Sequence, residues 1–190
     1  MVKLNLPEQS LNKLCEQLGS DTLDILGFSL DVKAGSLEDT LCAGAPKDRN
    51  LLIFTIMLAH YTQGKPTELT SKLVKFKDLP GGYAYEGAFN QRAIKPVAED
   101  FGAEPDLLVS AAKLLGGAEI SLGGDVSVRI PTLKGIPLTY ILWKKEEFDA
   151  TATILYNESA SSYLPTEDLS GIGELTTSRL SEAKQRLEHG

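Results

Sequence analysis

A chain of 190 residues, 42% hydrophobic and 24% charged, is long enough to bury a sizeable core and too apolar to remain disordered. Its formal net charge of −7 disfavours duplex binding, which usually needs a basic surface, so no nucleic-acid partner is expected, although a local basic patch is compatible with it. Cys15 and Cys42 stand apart with no C-x-x-C pair, which excludes a four-cysteine zinc site or an ordinary iron–sulfur cluster held by this chain alone.

The opening MVKLNLPEQSL lacks the apolar segment of a signal peptide. The longest apolar run, Leu51 to Ala59, is broken by Thr55 and too short to span a bilayer. The expectation is a cytoplasmic protein with no membrane partner, its cysteines serving as small core residues.

Pro7 and Glu8 open a helix in which Leu11, Leu14, Cys15 and Leu18 recur at helical spacing before Gly19 ends it. From Ile25 to Val32 the pattern alternates, which predicts a half-buried strand whose partner lies within Gly35 to Ala43. Asp48 fits an N-cap for a helix from Arg49 to Thr62, apolar on nearly every side and so expected to be the central buried one. Thr67 to Gly82 reads as a basic connector, with Lys72, Lys75 and Lys77 alternating with Leu73, Val74 and Phe76 before the Pro80-Gly81-Gly82 turn.

Glu86 to Phe101 forms a second helical stretch with Phe89, Ala93, Val97 and Phe101 on one stripe, interrupted by Pro96, which must kink it or start a new turn. A third helix starts at Pro105 and ends at Gly116-Gly117. Val126–Ile130, Ile136–Trp143 and Ala150–Tyr156 then read as three strands with short connections, an antiparallel meander. Thr166 resembles a capped helix start, but Gly171 and Gly173 weaken that turn, so the C-terminal helix is expected to begin near Glu174. The final Leu-Glu-His resembles a vector remnant. Helices in blocks and strands in hairpins define an α+β fold in one domain over residues 1–190: an N-terminal strand or hairpin and a C-terminal three-strand meander packed against about five helices.

The stretch FKDLPGGYAYEGAFNQRA at Phe76 to Ala93, with Asp125, Pro131, Trp143, Phe148 and ILYNESASSYLPTED from Ile154 to Asp168, resembles domain-of-unknown-function family 3786 of anaerobic bacteria and archaea. The resemblance covers about Leu51 to the C-terminus. Some members resemble proteins joined to an iron–sulfur cluster domain, which implies a role in anaerobic redox or one-carbon metabolism and a partner of that kind. This chain lacks that cysteine-rich part, and Asn157 stands where the resemblance implies an acid.

Chemistry-bearing residues are few. His60 is the only internal histidine, either a hydrogen-bonded boundary residue or a base, and no cysteine stands at a spacing that pairs with it. In an acidic chain, Lys72, Lys75, Lys77, Tyr83, Tyr85, Phe89, Arg92 and Lys95 gather around one turn. Gly81 and Gly82 would let backbone donors approach an anion, Tyr83, Tyr85 and Phe89 could hold a planar group, and Arg92 could clamp a phosphate or carboxylate. The structural alternative is that the lysines guard a strand edge while the aromatics fill the core. Asp125 after Gly123-Gly124 is either a turn residue or a weak candidate base, and Trp143 either packs or stacks on a ligand.

No Walker loop, G-x-S-x-G elbow, H-E-x-x-H or strand-borne G-x-G-x-x-G occurs, so the sequence specifies no cofactor or metal site. The reading that follows is an accessory or ligand-binding protein holding an anionic small molecule or a partner. The alternatives are an enzyme on a phosphorylated or carboxylated metabolite and a structural interaction module.

Overall fold

In the computed structural model, which describes residues 1–189, the elements run β1 (Val2–Lys3), α1 (Glu8–Leu18), β2 (Thr22–Ile25), β3 (Phe28–Asp31), β4 (Ser36–Asp39), α2 (Asp48–Tyr61), β5 (Leu73–Lys75) and α3 (Gly82–Phe89). A π turn (Asn90–Ile94) leads into α4 (Lys95–Phe101), α5 (Pro105–Leu114), β6 (Ala118–Glu119), β7 (Val126–Ile130), β8 (Leu138–Trp143), β9 (Thr151–Asn157) and α6 (Thr166–His189). The strands form two antiparallel sheets, one in the order β1-β4-β3-β2 and one in the order β5-β9-β8-β7-β6. This is the expected α+β class, with the meander β7-β8-β9 in place. The strand predicted from Ile25 to Val32 is β3, paired with β4 inside Gly35 to Ala43 as expected, but Ile25 belongs to β2, which turns into β3 through Leu26 and Gly27, at positive φ of 54° and 72°. A two-residue turn of that hand matches the twist of the flanking strands.

The helix at the centre is α6, not α2. Helix α6 packs against α2, α3, α4 and α5. It begins eight residues before Glu174, at Thr166, and Gly173 is the reason the glycines do not stop it. A Cβ at Gly173 would lie 2.4 Å from the Tyr156 hydroxyl and 2.6 Å from the Phe89 ring, so the small residue admits two aromatics to the helix surface. Tyr156 donates to the Leu169 carbonyl at 2.7 Å, and the Tyr140 hydroxyl lies 3.3 Å from Thr177 Oγ1, fixing the five-stranded sheet to α6. On the other side Arg179, 1% exposed, donates through two nitrogens to Asp39 at 2.7 and 2.9 Å and through Nε to the Leu26 carbonyl at 2.9 Å. That set fixes the four-stranded sheet.

Helix α2 buries Asn50, Phe54, Met57, Leu58 and Tyr61 but leaves Leu52 60% and Ile56 44% exposed. A helix that is apolar all round gives no period from which to read its buried face. The basic connector contains β5, the edge strand of the larger sheet; Lys72 beside it pairs with Glu158 at 3.0 Å. Charged residues at such an edge discourage pairing with another chain. Asn157 is buried and needs its amide. Its Oδ1 accepts from Ser159 N–H and Ser159 Oγ, while its Nδ2 donates to the Thr70 carbonyl at 2.7 Å, which a carboxylate could not do.

Burial in the core raises the phenols of Tyr140 and Tyr156, and burial together with neighbouring Tyr163 pushes Tyr61 up to about 12. A folded pKa above the unfolded value near 10 means that this stability is complete below about pH 10 and is lost as pH rises towards 12. In an alkaline titration followed by tyrosinate absorbance, Tyr61, Tyr140 and Tyr156 should therefore ionise only as the circular-dichroism signal of the fold collapses.

Candidate functional site: an arginine-flanked cleft on the central helix

Between Ile94 and Val97 the chain must accommodate Pro96, which has no N–H to donate and whose ring crowds the carbonyl four residues back. The chain solves this by widening the preceding turn, with Lys95 N–H donating to the Asn90 carbonyl five residues earlier. The stripe of Phe89, Ala93, Val97 and Phe101 stays buried through the π turn, and the Ala93 carbonyl accepts from Thr177 Oγ1 at 2.8 Å. A π turn re-aims the side chains around it and recurs at functional sites. Here it directs Arg92 across α6.

Arg92 Nη1 lies 3.9 Å from Glu174 Oε1, and from the opposite side Arg49 of α2 reaches Glu174 Oε2 at 3.2 Å. The two guanidiniums are well exposed, at 66% and 73%, while the Glu174 side chain is only 12% exposed. Below them opens a cleft of about 680 Å³ lined by Pro96, Thr177, Ser178 and Ser181. A smaller cleft of about 150 Å³, with Lys47, Asn50 and Glu182 in its wall, continues along α6 and shares Arg49, Glu174 and Ser178. Two guanidiniums against one carboxylate leave the cleft with excess positive charge in a chain of net charge −7. Guanidinium forks over hydroxyl groups are suited to bidentate capture of a carboxylate or phosphate.

Of the residues singled out in the sequence, only Arg92 lines this cleft. Phe89 is 1% exposed and stacks on Phe76 with ring centroids 4.2 Å apart, so it is a core residue out of reach of a ligand. The Gly82 N–H donates to the Leu79 carbonyl at 2.9 Å and is spent on the turn. A Cβ at Gly82 would fall 2.0 Å from the Phe76 carbonyl, so this glycine serves backbone packing. Gly81 caps α3 at φ 76°, with Thr166 Oγ1 donating to the neighbouring Pro80 carbonyl.

Tyr83 is 80% exposed, and the Tyr85 hydroxyl donates to Glu167 Oε1 at 2.9 Å. Backbone N–H at the start of α6, followed by that tyrosine hydroxyl, lowers the pKa of Glu167. Trp143 and Asp125 meet in a separate cleft of about 480 Å³ with Lys144 and Phe148. There Asp125 Oδ2 accepts the Lys144 N–H at 2.8 Å, as a turn residue does. Arg92 and Asp125 therefore line different clefts.

Sequence reasoning missed Arg49, Glu174, Ser178 and Ser181. The available signal was the polar stripe Glu174-Ser178-Ser181, which already falls on one face of the helix expected from near Glu174. It also missed the partner of His60, whose Nδ1 lies 2.6 Å from Oδ2 of Asp168, itself 9% exposed. His60 lines a cleft of about 400 Å³ with Gly64, Ser161 and Ser162. The carboxylate orients the imidazole, but the Ser162 hydroxyl donates to the Ser159 carbonyl at 2.7 Å and is not bonded to the ring. The pair ties the end of α2 to the start of α6. Among the described residues no group of three histidine, cysteine or acidic side chains is placed to hold a metal, and no helix is long and apolar enough to cross a membrane.

Fold and cleft together define an α+β protein whose long C-terminal helix carries an open, arginine-flanked cleft over a π turn. Residues 8–179 match the family described as Domain of unknown function (DUF3786), and the chain belongs to that family. The match reaches from α1 to Arg179 and so includes Arg49, Arg92 and Glu174. Comparison with curated proteins and with solved structures gives no match.

Proposed function

We propose that the protein is an accessory protein that binds an anionic small molecule in the cleft between Arg49 and Arg92 and performs no covalent chemistry on it. The observation that supports this reading is the convergence of two exposed guanidiniums, from α2 and from the π turn, above the hydroxyl-lined floor of a cleft of about 680 Å³. The lining carries two guanidiniums, three hydroxyls and the Glu174 carboxylate, which Arg49 already engages at 3.2 Å, and no histidine. Binding with a cation clamp suits a carrier, sensor or subunit that presents a metabolite to another protein.

Thermal unfolding in the presence of inorganic phosphate, succinate or aspartate tests the reading. At least one of these should raise the melting temperature of the unaltered protein, and the effect should shrink at high salt. Arg49→Ala and Arg92→Ala, both at exposed positions, should unfold within about 0.5 kcal/mol of the unaltered protein, yet each should weaken anion binding by about tenfold or more. Stabilisation that persists when both arginines are replaced would remove the cleft from the account.

A further inference from the structure

We infer that the ligand of this cleft carries an amine beside its acid group, and that Glu174 is the partner of that amine; the inference rests on the anion-binding reading above. The argument begins with what a nearly buried carboxylate is doing on the floor of a cation-flanked cleft. Glu174 Oε2 has Arg49 at 3.2 Å, and Oε1 has the Ser170 hydroxyl at 3.3 Å. Arg92, at 3.9 Å from Oε1, is beyond hydrogen-bonding distance. An ionised carboxylate offers about four acceptor positions, so this one retains acceptor capacity.

Arg92 is correspondingly uncommitted, with five N–H donors and no hydrogen bond to Glu174. Among the described residues, the Ser178 hydroxyl, one turn further along α6, also has no protein hydrogen bond. A ligand that carried only negative charge would settle between the arginines against the Glu174 carboxylate, and that like-charge contact opposes binding. A ligand with an ammonium next to its carboxylate or phosphate reverses the sign of that contact. Its acid group sits on Arg92 and Arg49, its ammonium donates to Glu174, and charges alternate across the cleft. The class is a small amino acid-like zwitterion.

Calorimetric titration of the full chain with aspartate and with succinate isolates the amine, because the two probes share a carbon chain and two carboxylates. Aspartate should bind at least about tenfold tighter than succinate, the difference expected for one charge-assisted hydrogen bond. Glu174→Gln should remove most of that preference by weakening aspartate while leaving succinate unchanged or tighter. Equal binding of the two probes, or tighter binding of succinate, overturns the role of Glu174 and leaves the anion clamp standing. Absence of binding by both overturns this inference together with the reading beneath it. Should Glu174→Gln fold poorly, the ratio of the two affinities in the unaltered protein still decides the question.

Discussion

Arg179→Ala is expected to cost about 3–5 kcal/mol of stability, the usual consequence of leaving one member of a buried ion pair uncompensated. Arg179 is 1% exposed, donates to Asp39 through two nitrogens, reaches Glu182 at 2.5 Å and lies 4.0 Å above the Phe28 ring. Its removal strands the Asp39 carboxylate, which is 3% exposed, and leaves the Leu26 carbonyl without its donor. Lysine is a poor substitute, because a point charge cannot span both Asp39 oxygens and the Leu26 carbonyl at once. Urea unfolding of the variant should show a much lower midpoint. A change below about 1 kcal/mol, the size expected of an exposed pair, would mean that the four-stranded sheet is not secured to α6 through this group.

Phe89→Ala should be comparably severe, at about 3–5 kcal/mol for loss of a large buried aromatic and the cavity it leaves. Phe89 stacks on Phe76 and lies beside Tyr156, with ring centroids 6.2 Å apart, and its ring passes over Gly173. The informative contrast is with binding. At a temperature where the variant remains folded, its affinity for aspartate should match that of the unaltered protein. Loss of affinity without loss of stability would return Phe89 to the ligand-contacting role its place in the sequence suggested.

Those two residues show where the sequence was legible. Phe89, Ala93, Val97 and Phe101 recur every four residues, and that stripe is buried as expected because a π turn absorbs the difference between a four-residue repeat and the 3.6-residue helix. The meander β7-β8-β9 was legible from its alternation and its proline and charged boundaries. Arg179 was not legible. A lone arginine among Thr177, Ser178 and Leu180 looks like part of a solvated face until Asp39, 140 residues earlier, is brought against it.

The cleft was hidden for the same reason. Arg49, Arg92 and Glu174 belong to three separate elements, and no local spacing links them. Two further readings failed on backbone detail: the tight turn at Leu26-Gly27 passed for strand because Leu26 is apolar and fully buried, and Gly171 and Gly173 passed for helix breakers. Gly173 is instead required by the packing of Tyr156 and Phe89.

The most direct test of the account is a nuclear magnetic resonance titration of the labelled chain with aspartate, following the arginine Nε–H signals and the indole of Trp143. Saturable shifts centred on Arg49, Arg92 and the backbone around Ser178, with the Trp143 indole unmoved, are the predicted result. Shifts centred on Trp143 and Asp125, or none at Arg49 and Arg92, would contradict it.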